Sequence, residues 1–249
     1  MDLELKDKIA VVTGAASGFG AAIARALLAE GCRVYLADIN LPTAERLTSG
    51  MGERAHAMRI DVGNAGDVQA KMKQVEIEQG SIDILVNNAG ILKIGTVADS
   101  SYEDWDQVCR VNLSGVYYCC KAVLPAMLNR KAGKIINIAS ISAFKGGGVF
   151  GNVLYGTTKA GVAALTRGLA REVGPHGINV NGIHPGLADT GMTNQHLNES
   201  NRARMSEVIP LGRLASTNDI ARLVTFLASN LSEYITGEMI TIDGGLTTK

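Results

Sequence analysis

Little in this chain points to metal, disulfide or polyanion chemistry. Its four cysteines, Cys32, Cys109, Cys119 and Cys120, form no Cys-x-x-Cys pair and its four histidines are scattered, so no metal-ligand template is present. Adjacent Cys119 and Cys120 point about 100° apart on an expected helix, which suits buried small apolar residues. Charge of one sign is also missing. Lys plus Arg and Asp plus Glu number 24 each, with no basic run, which removes the electrostatic case for nucleic acid or an anionic membrane. No apolar run approaches the ~18 residues of a membrane span, and Met1 to Ile9 alternates charge with single apolar residues. A soluble cytoplasmic protein is the expectation. Internal repeats, low-complexity segments and linkers are absent too, so the 249 residues read as one domain. What remains is a 46% hydrophobic chain with 29 glycines: a substantial core threaded by tight turns.

Those glycines are not evenly spread. Lys8 to Thr13 reads as a short buried strand, followed by Gly14-Ala15-Ala16-Ser17-Gly18-Phe19-Gly20 and a helical pattern from Ala21 to Glu30. Strand, glycine turn and helix form a phosphate cradle: Gly14 permits the turn, Gly18 lets backbone approach a pyrophosphate, and Gly20 lets the helix pack close to the sheet. A second strand, Cys32 to Ala37, ends at Asp38, about 20 residues on, where a carboxylate accepts from both adenosine ribose hydroxyls and repels a 2'-phosphate. With Ile39 and Asn40 next and no Arg or Lys in the glycine turn, the cofactor expected is NAD and not NADP.

Strands at His56 to Ile60 and Ile82 to Val86 end at Asp61-Val62 and Asn87-Asn88-Ala89-Gly90, with a helix of about Asn64 to Gln79 between them. This alternation implies parallel βαβ units and a ligand site at the strands' C-terminal ends. The expected architecture is α/β: one doubly wound, Rossmann-type domain with a mostly parallel sheet of about seven strands flanked by helices. Asp104 to Arg130 reads as helix, interrupted near Asn112-Leu113-Ser114-Gly115 and at Pro125. Lys134 to Ala139 is a fifth strand and delivers Ser140. A glycine-rich loop then leads to Tyr155-Gly156-Thr157-Thr158-Lys159. On a helix Lys159 stacks one turn from Tyr155, and a unit charge at ~4 Å in an effective dielectric of ~20 is worth about 4 kcal/mol, or about 3 pKa units off the phenol's ~10. Tyr117 and Lys121 repeat the spacing, but with no strand or serine loop before them they are assigned to packing and surface. A sixth strand, Ile178 to Ile183, runs into Pro185-Gly186; the polar segment 191–210 reads as a substrate lid, and a helix from Thr217 to Ala228 and a strand from Glu238 to Asp243 close the chain.

From about Lys6 to Gly245 the chain resembles the short-chain dehydrogenases/reductases. Thr13 to Gly20 looks like that family's Thr-Gly-x-x-x-Gly-x-Gly cofactor turn, and Asn87 to Gly90 matches its Asn-Asn-Ala-Gly signature. The resemblance implies a cofactor set of Gly14, Ser17, Gly18, Phe19, Gly20, Asp38, Asp61 and Val62 at the adenine, Asn88, Ala89, Gly90, Tyr155 and Lys159. It adds Pro185, Gly186, Leu187, Ala188 and Thr190 near the nicotinamide carboxamide. Asp189 has no role in this reading. It implies catalytic roles for Ser140 on the substrate oxygen, Tyr155 as acid/base, Lys159 as the group lowering the Tyr155 pKa, and Asn112 holding a water that links Lys159 to solvent. The family's usual Ser to Tyr spacing is 12 or 13 residues, which Ser142 would satisfy; the strand register favours Ser140, and Ala143 stands where the family often has Gly. The expected activity is hydride transfer between NAD(H) and a small secondary alcohol or ketone, by a homotetramer, with a dimer second. A 3-oxoacyl-carrier-protein reductase, usually drawing on NADPH, is the alternative enzyme, and a non-catalytic NAD-binding regulator the alternative of another class. Phe144, Val149 and Phe150 are expected to make a partly apolar substrate wall, with Asn152 and His196 adding polar contacts.

Overall fold

The computed structural model describes residues 2–147, 152–194 and 199–248. Seven strands, β1 (Ile9–Thr13), β2 (Arg33–Asp38), β3 (Ala55–Arg59), β4 (Ile84–Asn87), β5 (Gly133–Ile138), β6 (Ile178–Pro185) and β7 (Met239–Ile242), form one sheet. All six pairings are parallel, in the order β3-β2-β1-β4-β5-β6-β7. Such a sheet is covered on both faces, and β1 is buried at every position. Its side chains alternate between two cores: Ala10 and Val12 pack with Ile23, Leu27, Val224 and Leu227, while Val11 packs with Leu85, Val116, Cys119 and Val162 on the opposite face.

The helices are α1 (Gly18–Ala29), α2 (Leu41–Thr48), α3 (Ala65–Gln79), α4 (Tyr102–Cys109), α5 (Gly115–Arg130), α6 (Ser142–Lys145), α7 (Val153–Val173), α8 (Gly191–Asn194), α9 (Glu199–Val208) and α10 (Thr217–Ala228). Local chemistry sets several starts. Asn40, Asn64 and Asn152 cap α2, α3 and α7, and Ser101 with Asp104 and Ser216 with Asp219 build reciprocal capping boxes on α4 and α10. Helix α1 differs. It begins inside the glycine turn, three residues before the Ala21 expected from periodicity, and its N-cap Ser17 makes no side-chain cap bond, so its first N–H groups are left for another acceptor.

Between α4 and α5 the backbone widens into one π-helical turn, Arg110–Ser114, at the interruption expected around Asn112. Across that turn the run Tyr102–Arg130 is helical for 29 residues, apolar enough on average to cross a membrane, although no unbroken apolar stretch marks it in the sequence. Its apolar side is occupied: Val116, Cys119, Cys120, Val123 and Met127 sit in the sheet core. Burial pushes the Cys120 thiol up to about 12, so it behaves as a small apolar side chain.

The sheet reverses direction of growth between β1 and β4, and the crevice outside the strand ends at such a switch point is where open α/β sheets bind ligands.

Candidate active site

A cavity of about 550 Å³ opens at that switch point. The glycine turn forms one wall. Gly14 has φ +64°, and a Cβ there would lie 2.8 Å from the Ala89 Cα; a Cβ on Gly20 would run into the Gly14 carbonyl. Asn88 locks the same corner, its Nδ2 donating to the Thr13 and Gly14 carbonyls at 2.9 and 3.0 Å. Thr13 Oγ1 in turn accepts from the Asn88 and Ala89 N–H groups. The two loops are thus one interlocked cradle, aimed by the uncapped N-terminus of α1.

Asp38 ends β2 on the cavity wall. Its Oδ2 accepts from the Ala16 N–H and its Oδ1 from the Asn40 N–H, both at 2.9 Å. A carboxylate has about four acceptor positions, so one per oxygen remains, the arrangement a pair of vicinal hydroxyls can fill. Asp61 and Val62 line the cavity further along, with Asp61 Oδ1 held by the Gly63 N–H at 2.9 Å. Spacing missed Arg110 here: it lines the cavity, and its stem packs against Gly63 beside Asp61. The only sequence signal is its place two residues before Asn112 in the π turn. Ile39, Ile91, Leu92 and Gln107 are further lining residues that the motifs did not single out.

At the other end, β5 delivers Ser140 and α7 delivers Tyr155 and Lys159, all three on the cavity wall. The Ser140 hydroxyl lies near enough to the Tyr155 phenol to favour its ionised form. Ser140 Oγ also accepts from the Ser142 N–H at 3.1 Å. Ser142 lines the cavity too, but it opens the short helix α6, and Ser140 is the serine whose hydroxyl acts on the Tyr155 phenol. Lys159 is buried, with Nζ 5.6 Å from the Tyr155 ring centroid and donating to the Ile138 carbonyl at 2.7 Å. Gly90 lies between this amine and Asn112: a Cβ on it would sit 3.6 Å from Lys159 Nζ and 3.4 Å from Asn112 Oδ1. Asn112 itself is fully buried and commits its side chain to Ile91, accepting from its N–H at 2.8 Å and donating to its carbonyl at 2.9 Å.

The expectation that Lys159 lowers the Tyr155 pKa is not met. Burial pushes Tyr155 up to about 12, opposed only by the Ser140 hydroxyl, and burial pushes Lys159 down to about 8. Desolvation favours the neutral form of each group, so the amine gives up its proton before the phenol does. Spacing gave the partner, while the net shift in the ligand-free protein is set by burial.

Pro185, Gly186, Ala188 and Thr190 complete the wall. Gly186 abuts Asp243, which a Cβ would meet at 2.6 Å, and Thr190 Oγ1 lies 3.1 Å from Thr193 Oγ1. Asp189 gains an account: it makes a two-pronged ion pair with Arg202 of α9 at 3.0 and 3.2 Å, tying the segment 191–210 to the end of β6. At its other end that segment is anchored by buried Ile209 and by the Leu211 N–H on the Gly244 carbonyl. Of the residues expected to shape the substrate wall, Phe144 is half exposed beside His184 and Asn152 caps α7, while Val149, Phe150 and His196 lie outside the described residues.

Comparison with known proteins agrees with this geometry. A family model described as enoyl-(acyl carrier protein) reductase matches residues 14–247. The chain is 37% identical over 244 residues to a 3-oxoacyl-(acyl-carrier-protein) reductase of Vibrio harveyi, covering 98% of this chain and 99% of that one. It is 38% identical over 248 residues to a short-chain type dehydrogenase/reductase of Sinorhizobium fredii, covering 97% and 98%. Among solved structures, that of gox2181 superposes with a TM-score of 0.95 at 31% identity, covering 100% of this chain and 98% of that chain. A nucleotide cradle, a Tyr–Lys pair in the cavity wall beside a strand-end serine, and full-length relatives of this kind place the chain in the short-chain dehydrogenase/reductase family, as an oxidoreductase that acts on CH–OH or keto groups with a nicotinamide cofactor.

Proposed function

We propose that this enzyme works with NAD(H) and, at neutral pH, as a carbonyl reductase. The direction rests on Ser140 and Tyr155 sharing the cavity wall, with burial pushing the phenol up to about 12 and so keeping its proton in place at neutral pH. Cofactor choice rests on Asp38, which has one acceptor position free on each oxygen and repels a 2'-phosphate. The glycine cradle and the open N-terminus of α1 suit a pyrophosphate. Nicotinamide chemistry supplies the hydride that reaches the carbonyl carbon. Ser140, whose oxygen already accepts from the Ser142 N–H, donates its own proton in a hydrogen bond to the substrate oxygen and orients it. Tyr155 then transfers its Oη proton to that oxygen as negative charge develops. Lys159 would hold the cofactor ribose and pass a proton back toward Tyr155, and Asn112, in the widened helix turn, would hold a water that links Lys159 to solvent. Alcohol oxidation runs the same steps backward and needs the phenolate, which a pKa of about 12 makes scarce at neutral pH.

The reading extends to a soluble cytoplasmic homotetramer in which segment 191–210 covers the substrate. Steady-state assays of ketone reduction and secondary-alcohol oxidation with both cofactors test it: NAD(H) should be favoured by at least tenfold in kcat/KM, about 1.4 kcal/mol. Equal or better use of NADP(H) would refute the cofactor assignment. A 3-oxoacyl thioester belongs in the same panel, because several full-length relatives at 36–38% identity are 3-oxoacyl-(acyl-carrier-protein) reductases. Preference for that thioester over simple ketones would move the substrate to that class. No turnover on any of these would return the regulator alternative.

A further inference from the structure

His184 stands outside every motif in this chain, and it does not line the cavity. It is fully buried on β6, directly behind Ser140, with the Phe144 ring 4.3 Å away at 55°. Its Nδ1 lies 2.8 Å from the Ser140 carbonyl oxygen. That oxygen carries no proton, so Nδ1 must be the donor and Nε2 the bare acceptor. Nε2 is buried and has no hydrogen-bond partner among the described residues. A second proton would therefore have no acceptor, and burial accordingly lowers the His184 pKa, keeping the ring neutral at and above its ordinary range. An orphaned buried acceptor is a penalty that an apolar side chain at this position would avoid. The donor on the other nitrogen is what the imidazole supplies in return.

The β5–β6 ladder shows why a side-chain donor matters there. Ala139 and Ile141 donate their N–H groups to the Ile183 and Pro185 carbonyls at 2.9 and 3.1 Å, whereas the Ser140 carbonyl lies outside this ladder. It takes its two hydrogen bonds from the Ala143 N–H at 3.1 Å and from His184. With Oγ accepting from the Ser142 N–H, Ser140 is then fixed at both its peptide and its hydroxyl. Remove the imidazole and the peptide plane that aims the hydroxyl keeps only the short turn to Ala143.

We propose that His184 is a positioning residue for Ser140: its Nδ1–H bond holds the serine peptide so that the hydroxyl meets the substrate oxygen. This inference rests on the role given to Ser140 above, and the experiment separates the two. Asparagine places an amide nitrogen at the Nδ1 position, glutamine one bond further out, so His184→Asn keeps the donor and His184→Gln misplaces it. Ketone reduction at saturating NADH should lose about 10- to 100-fold in kcat in His184→Gln and stay within about threefold of wild type in His184→Asn. The Kd for NADH, read by fluorescence, should be unchanged in both, which also reports that both are folded. In a Ser140→Ala background, adding His184→Gln should change kcat less than about twofold, because the two changes remove one interaction. Equal losses in the Asn and Gln variants, or a Gln loss that persists undiminished without the serine hydroxyl, would overturn the proposal while leaving Ser140 in place. Wild-type kcat in Ser140→Ala alone would overturn the role of Ser140 and this one with it.

Discussion

Two tyrosines in this chain each carry a lysine one helical turn on, with nearly the same geometry. Lys121 Nζ lies 5.8 Å from the Tyr117 ring centroid on α5, and Lys159 Nζ lies 5.6 Å from the Tyr155 ring centroid on α7. Their surroundings are opposite. Tyr117 is half exposed, so water screens its ammonium neighbour; Tyr155 and Lys159 sit in the wall of the cavity, where each loses hydration, Tyr155 close to the Ser140 hydroxyl and Lys159 bonded to the Ile138 carbonyl. Spacing along a helix thus fixes which groups can meet, and burial fixes what meeting does to them. A motif defined by spacing alone has no way to report the second.

The sharpest way to break this comparison is to make the same change in both places. Tyr155→Phe keeps the ring and removes the transferable proton, so ketone reduction should fall ~10²- to 10⁴-fold with NADH affinity intact. Tyr117→Phe should leave kcat/KM within severalfold. Near-normal turnover in Tyr155→Phe, or the larger loss in Tyr117→Phe, would reverse the assignment.

Lysine replacement gives a second contrast, in stability against pH. Lys159 has a folded pKa of about 8, below its unfolded value near ~10.4. Between those values the unfolded chain binds the extra proton, so native stability from this group rises with pH across the window. The unfolding free energy of wild type minus that of Lys159→Met should therefore climb by roughly 3 kcal/mol from pH 8 to 10.5 in the ligand-free protein. Denaturant titrations at several pH values measure it, with Lys121→Met as the surface control. A flat difference would mean that Lys159 is not desolvated.

A third contrast lies within the buried pair, between the two directions of reaction. With Tyr155 at about 12, the rate of alcohol oxidation should rise about tenfold per pH unit through pH 7 to 9, as the phenolate fraction does, while ketone reduction gains nothing from added base. An oxidation profile that levels off near pH 7 would show a phenol far more acidic than its burial allows. The smallest effect expected is in the nucleotide half, away from both pairs. Asp38→Ala should narrow the NAD-to-NADP preference by about tenfold, chiefly through weaker NAD binding, and leave the pH profiles where they were.

How much of this was legible in the sequence follows the same division. The cradle, Asp38, Asn88 and Ser140 could be read because each falls where a buried strand ends, and strand ends share one edge in a parallel sheet; Tyr155 and Lys159 could be read from their spacing of one helical turn after the serine loop. Element limits moved by a few residues, as with α1, which starts at Gly18 inside the turn, where Gly18 itself has φ +52°. The short helix α6 has no periodicity to announce it in a glycine-rich loop. Contacts made only after folding left no local trace: Asp189 with Arg202, 13 residues apart, and His184 with Ser140, 44 apart. The sign of the Tyr155 shift belongs with these, since it depends on the depth of a cavity.

One polar string deep in the core has a consequence for assembly of the chain. Asn87 Nδ2 donates to Asn137 Oδ1 at 2.9 Å, Asn137 Nδ2 to Thr166 Oγ1 at 2.9 Å, and Thr166 Oγ1 to the Val162 carbonyl at 2.8 Å. Asn87 and Asn137 stand directly opposite in the β4–β5 pairing, so the string crosses from β4 through β5 to α7. A slip of one residue in β5 would turn Asn137 to the other face and break its bonds to both Asn87 and Thr166, at about 1–3 kcal/mol for each buried group left unpaired. The string therefore acts as a proofreader of strand register. It charges misaligned folding intermediates far more than it rewards the native state, and what it proofreads is the relative placement of the elements that carry Asn88, Ser140 and Tyr155.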